Sequence, residues 1–161
     1  QQDHNDPVLA TAMDPMSRGI FCLITEDVRA GAKYLSFTNS DGLNSSPVWE
    51  NIEEQRADFV LGLNNGIIVG YQTFVTDGFG GGFAAYDVQC PNCVRNNNNY
   101  TAPNYRVTMS SSGIATCSKC GLKYDLNNSG IVQNGEKGDT GLEKYVASTT
   151  GPLGRISVFR R

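Results

Sequence analysis

Two Cys-x2-Cys pairs, Cys90-Pro91-Asn92-Cys93 and Cys117-Ser118-Lys119-Cys120, constrain this chain more than any other feature. Each pair bends back on itself, so its two sulfurs can reach one ion without moving the rest of the backbone. Two such turns facing each other place four sulfurs tetrahedrally, which suits Zn²⁺ at about 2.3 Å per bond. The pattern predicts a knuckle at both pairs, and Gly121 after the last cysteine allows the close turn a knuckle needs. The 23 intervening residues exceed the commonest zinc spacing of about 15 to 20. The Asn-rich stretch from Arg95 to Asn99, read as an exposed loop, can absorb the surplus. Disulfides are the competing reading, because an oxidising compartment would let the cysteines bridge across the loops. Bridges within a Cys-x2-Cys are strained and reducible, so the spacing favours metal.

The rest of the composition sets the frame for that site. A chain of 161 residues is expected to form one domain with a real core. Only 18% of the residues are charged and 18 are glycine, a β-protein composition with many turns. The net charge of −3 argues against nucleic acid as a partner, and Arg160-Arg161 alone cannot neutralise phosphates. No apolar run approaches the roughly 20 residues of a membrane span.

Residues 1–17 are polar, with Pro7 and Pro15 discouraging helix, and are expected to form a flexible tether before a single β domain over 18–161. His4, the only histidine, falls on this segment and reads as a solvated residue rather than a catalyst or ligand. The start Gln1-Gln2-Asp3, without a Met, suits a mature chain cut behind an export signal or a lipidated cysteine. Strands are expected at Gly19–Thr25, Tyr34–Thr38, Ile67–Val75, Phe83–Val88, Tyr105–Met109, Lys123–Leu126, Ile131–Gln133, Leu142–Ala147 and Arg155–Phe159. Turn signals stand at Asn39–Gly42, Asp77–Gly82 and Asn127–Gly130. Glu53–Asp58 suits a helical turn or a charged loop, with Pro47 limiting any helix. Cys22, inside the first strand, reads as a small buried hydrophobe.

From about Asn65 to Phe159 the chain resembles a Rieske-type domain, which binds a [2Fe-2S] cluster through a Cys-x-His loop and a Cys-x-x-His-Gly loop. Phe83–Gln89 leading into Cys90 is similar to the strand that enters the first loop. Cys117-Ser118-Lys119-Cys120-Gly121-Leu122-Lys123-Tyr124-Asp125 resembles the family's second loop, Cys-x-x-His-Gly-Ser-x-Tyr/Phe-Asp. Gly130–Gly135 resembles its Gly-x-x-x-x-Gly hairpin, and the residues before Asn65 resemble the extra strands of exported bacterial lipoproteins with histidine-poor Rieske-like domains. The resemblance implies an all-β, Rieske-like sandwich or barrel with a two-loop, four-cysteine metal-site subdomain over about 87–125. It also implies supporting roles for Gly121 and Tyr124, and a place in the periplasm or on the cell surface. Membrane attachment would come only through an N-terminal lipid anchor.

The departures from that family bear on function. Cys120 stands in place of the second histidine, and Cys93 sits one place late for the first. Leu122 replaces the serine that supports the cluster, and Glu136-Lys137-Gly138 replaces the shielding Pro-rich loop. Two imidazoles on one iron give Rieske centres their high potential, so a cluster here would be all-cysteine and of lower potential. Three readings follow. The first is a non-catalytic module with structural zinc on Cys90, Cys93, Cys117 and Cys120. The second is electron transfer through a [2Fe-2S] cluster on the same four cysteines, and the third is a disulfide-stapled binding domain. Hydrolytic chemistry lacks a histidine base or an activated nucleophile. Trp49, Tyr100 and Tyr105 suit core or loop packing better than a ligand surface. The sequence identifies no protein or surface partner.

Overall fold

The uninterrupted apolar run Ile67-Ile68-Val69 requires a strand with both faces covered, since an exposed face would show polar residues at every second position. The computed structural model describes residues 7–29, 32–45, 66–73, 82–97, 105–135, 138–149, 151 and 156–159. Among them the strands are β1 (Phe21–Arg29), β2 (Ala32–Asn39), β3 (Asn44–Ser45), β4 (Ile67–Tyr71) and β5 (Phe83–Asp87). They continue with β6 (Val107–Met109), β7 (Ile114–Cys117), β8 (Lys123–Asp125), β9 (Ile131–Val132), β10 (Lys144–Thr149) and β11 (Ile156–Phe159). The larger sheet has seven strands in the order β11-β10-β5-β4-β1-β2-β3, and the smaller has four in the order β6-β7-β8-β9. Every pairing is antiparallel, so the architecture is all-β.

Alternate residues of the central strands serve two cores. Cys22, Ile24, Ile67, Val69 and Ala85 face a cluster completed by Val8, Leu9, Ala12, Met13, Phe37 and Tyr145. Phe21, Ile68, Ala84 and Tyr86 face a second cluster shared with Val107, Ala115 and Tyr124 of the smaller sheet and with Leu126 just after β8. Both faces of β4 are therefore buried, as its run requires. Gly70 fits the same crowding: a Cβ there would stand 2.6 Å from the Ile20 carbonyl oxygen and 2.6 Å from the Phe21 ring. Cys22 is fully buried in the first cluster.

The smaller sheet is an insertion. β5 and β10 are neighbours in the large sheet, with Tyr86 opposite Lys144 and Ala85 opposite Tyr145, and the smaller sheet arises wholly between them. Its attachment is hydrogen-bonded: Val107 N–H donates to the Val88 carbonyl at 2.9 Å, and Cys90 N–H to the Tyr105 carbonyl at 2.8 Å. The Tyr86 hydroxyl reaches across to the Leu126 carbonyl at 2.8 Å, and Ser129 N–H to Gln72 Oε1 at 2.6 Å.

Two expectations need correction. Residues 7–12 form helix α1 (Pro7–Ala12), and Val8, Leu9, Ala12 and Met13 are buried, so the loose tether does not extend through them. Proline at the first helical position loses no hydrogen bond and brings a ready-set φ, so Pro7 starts this helix instead of blocking it. Helix α2 (Pro91–Asn97) likewise takes in part of the Asn-rich stretch expected as loop. Elsewhere the expected strands and turns coincide with β1, β2, β4, β5, β6, β8, β9, β10 and β11 to within a few residues. β7 follows the Ser110–Gly113 turn and was not foreseen. Residues 1–6 with His4, Pro47, Trp49, the 53–58 segment, the 77–81 loop, Tyr100, Glu136-Lys137 and Arg160-Arg161 lie outside the described residues.

Candidate metal centre

Cys90 follows the end of β5 and caps the entry to α2, which carries Cys93 one turn on; Val94 N–H closes the turn on the Cys90 carbonyl at 3.1 Å. The first pair is therefore a helix start and not the expected knuckle. Pro91 decides this, because it fixes φ for the first helical residue and gives up an N–H that would have no partner there. The second pair is a true knuckle. Cys117 ends β7, and its sulfur receives the backbone N–H groups of Lys119 and Cys120, while the Cys120 sulfur receives that of Leu122. Gly121 sits at φ +80 with its N–H on the Cys117 carbonyl at 2.8 Å. That left-handed position is the one a residue with a Cβ resists.

The two loops bring all four sulfurs together, each within 4.8 Å of the others. The cross-loop edges Cys90–Cys120 and Cys93–Cys117 are both 3.7 Å. Bonds of about 2.3 Å in a tetrahedron imply sulfur–sulfur edges of about 3.8 Å, so a single ion fits the cage. A disulfide at about 2.05 Å does not describe these separations, and none of the four is disulfide-bonded. Cys90, Cys93 and Cys117 are buried within the inter-sheet core, and Cys120 is exposed at its edge.

Crowding of four sulfurs shifts their protons in different directions. Burial, followed by the neighbouring Cys120 and Cys117 thiols, holds the Cys93 proton far above the usual thiol range. Burial also acts to raise Cys117, but the N–H donors of Cys120 and Lys119 outweigh it and bring this thiol down. The Cys120 residue is exposed, yet its sulfur turns toward the other three, and desolvation there pushes it up to about 11. Cys117 is thus shifted toward the charged form, while Cys93 and Cys120 hold their protons more tightly. A divalent cation would displace those protons and relieve the crowding.

Polar side chains lock the ligands in place. Tyr124 is fully buried on β8, with its hydroxyl 2.9 Å from Cys90 Sγ. Asn92 Nδ2 donates to the same hydroxyl oxygen at 3.0 Å, which leaves the tyrosine proton directed at the sulfur. The other bonds of Asn92 reach 48 residues along the chain: Nδ2 donates to the Thr140 carbonyl and Oδ1 accepts from Thr140 N–H, both at 2.9 Å. Arg95 completes the clasp, donating to Asn92 Oδ1 and Thr140 Oγ1 at 3.0 Å each and to the Gly138 carbonyl at 3.4 Å. The buried Asn92 thus ties a metal-site helix, a ligand-bonding tyrosine and the loop before β10 into one unit. Asn92, Arg95 and Thr140 were not picked out from the sequence. The one local signal was a polar residue lying between two ligands, where only a partnered side chain can be buried. Tyr105 is buried beneath the knuckle, with Lys119 Nζ 5.4 Å from its ring centre.

Compared with family models, curated proteins and solved structures, the chain shows no significant match.

Proposed function

We propose that this chain is an exported, non-catalytic Rieske-like protein in which Cys90, Cys93, Cys117 and Cys120 hold one structural zinc ion. The observation that carries the reading is the four-sulfur cage, with all ligand atoms within 4.8 Å of one another. Four thiolates fill a tetrahedral zinc and leave no position for a substrate water, which is the arrangement of structural rather than catalytic sites. A two-iron cluster with bridging sulfides needs its cysteine pairs spread further apart than one ion does, so the compact cage supports a single metal. The Rieske-like reading draws on the order of motifs: a strand into Cys90, then Cys117–Gly121, then Tyr124-Asp125. Export rests on the same resemblance.

Cobalt substitution tests the occupant. Protein refolded with Co²⁺ is expected to show the intense visible bands of a tetrahedral all-thiolate site, and one equivalent of Zn²⁺ should bleach them. Anaerobic treatment with iron and sulfide should leave the protein without a [2Fe-2S] spectrum. A stable red-brown cluster with four cysteine ligands would overturn the zinc reading in favour of electron transfer.

A further inference from the structure

The four cysteines are not equally exposed, and the one at the surface has its nearest sulfur on the opposite loop. Cys120 is exposed while Cys90, Cys93 and Cys117 are buried. Its sulfur lies 3.7 Å from Cys90 Sγ, on the opposite loop. We infer that Cys120 is a modification site for peroxides, and that Cys90 is the thiol that resolves it into a cross-loop disulfide.

The chemistry balances with hydrogen peroxide as the oxidant. The Cys120 thiolate attacks one peroxide oxygen; an S–O bond forms, the O–O bond breaks, and hydroxide leaves. The product is a sulfenic acid, a poor metal ligand, so the cage opens. The Cys90 thiolate then attacks Cys120 Sγ; an S–S bond forms, the S–O bond breaks, and a second hydroxide leaves. Two sulfurs together lose two electrons, and one peroxide gains them. A second equivalent can join Cys93 and Cys117, which also stand 3.7 Å apart across the loops.

Geometry selects these partners over the pairs adjacent in sequence. Closing Cys117 on Cys120 would strain the knuckle and displace the N–H groups of Lys119 and Cys120 from the Cys117 sulfur. Closing Cys90 on Cys93 would distort the first turn of α2. A Cys90–Cys120 bridge only draws together two atoms that already touch. The oxidised protein therefore keeps its loops joined by a covalent bond where the metal joined them before. Cys22, fully buried in the other core, is an internal control that stays reduced.

The thiolate state of Cys120 and the release of zinc rest on the metal reading; the choice of bridging partners rests on the sulfur geometry. The test treats purified full-length protein with limiting hydrogen peroxide, follows zinc with a chromogenic chelator, blocks the remaining thiols and maps the bridges. Trypsin separates the ligands usefully, because cleavage after Lys119 and Lys123 leaves Cys120-Gly121-Leu122-Lys123 apart from Cys117, while Cys90 and Cys93 share a peptide ending at Arg95. The expected first product links 120–123 to that Arg95 peptide, with fragmentation placing the bond on Cys90. It is lighter by two hydrogens, releases the one zinc of the chain, and is reversed by reductant plus zinc. Cys90→Ser should stop at the sulfenic acid, trapped by dimedone on Cys120. A first bridge at Cys93–Cys117 or within either Cys-x2-Cys overturns the inference, as does peroxide consumed at Cys22. A chain that purifies without metal refutes the zinc reading; once loaded with Zn²⁺, its first bridge still decides this one.

Discussion

The large sheet and the cysteine lobe are two regions of one chain that solve the same problem differently. In the large sheet, β1 and β2 run for 9 and 8 residues, and α1 and the smaller sheet cover its two faces. Apolar burial stabilises it, with Phe21, Ile68, Val69 and Tyr86 fully enclosed. In the lobe the strands are 3, 4, 3 and 2 residues long. Ladders that short are marginal by themselves. There three cysteines are themselves core residues, and Cys90 is held by the Tyr124 hydroxyl, which Asn92 in turn positions. On the zinc reading the lobe depends on the ion its sulfurs hold, whereas the large sheet stands on its apolar core.

Metal removal should break this symmetry most strongly. Chelation, or Cys117→Ser, is expected to strip amide protection from residues 107–132 while β4 and β5 stay protected. Structural zinc contributes on the order of 10 kcal/mol in small zinc modules. Hydrogen exchange with and without chelator measures this, and uniform loss of protection across both regions would sink the distinction. Leu9→Ala probes the opposite side. Leu9 is 2% exposed, and its truncation should cost about 2–5 kcal/mol in denaturant unfolding with the metal content unchanged.

Smaller effects sharpen the account of the site. Tyr124→Phe removes the hydroxyl that donates to Cys90 and accepts from Asn92. It should weaken metal affinity by about 10–100-fold in a competition titration and shift the cobalt–thiolate bands. The pH dependence follows from the thiol protons. At neutral pH the metal-free Cys120, pushed up to about 11, holds its proton, as does Cys93. Binding must release those protons, so affinity rises with pH, by roughly tenfold per pH unit for each proton released. Affinity flat between pH 6 and 8 would contradict thiolate ligation by protonated sites. Gly121→Ala is the mildest: there is open space for the methyl, and the φ of +80 alone opposes it, at about 1 kcal/mol.

Much of this was readable in advance where the signal is local. The four-cysteine cluster follows from Cys-x2-Cys spacing, and β4 and β5 follow from their apolar runs on either side of a Gly-rich segment. What was missed depends on position within an element or on distant partners. Pro7 and Pro91 were read as a breaker and as part of a knuckle, because the same residue stops a helix from within and begins one at its first position. β7 is four residues long behind a Ser-rich turn, too short for its alternation to stand out. The Asn92–Thr140 clasp spans 48 residues, and no local pattern announces such a pairing.

The central claim is that one zinc ion joins the two loops. Elemental analysis of natively purified protein, with acid-labile sulfide measured on the same sample, tests it most directly. One zinc per chain, no sulfide and a colourless solution are the expected result. Two irons with two sulfides per chain, or four free thiols with no metal, would contradict it.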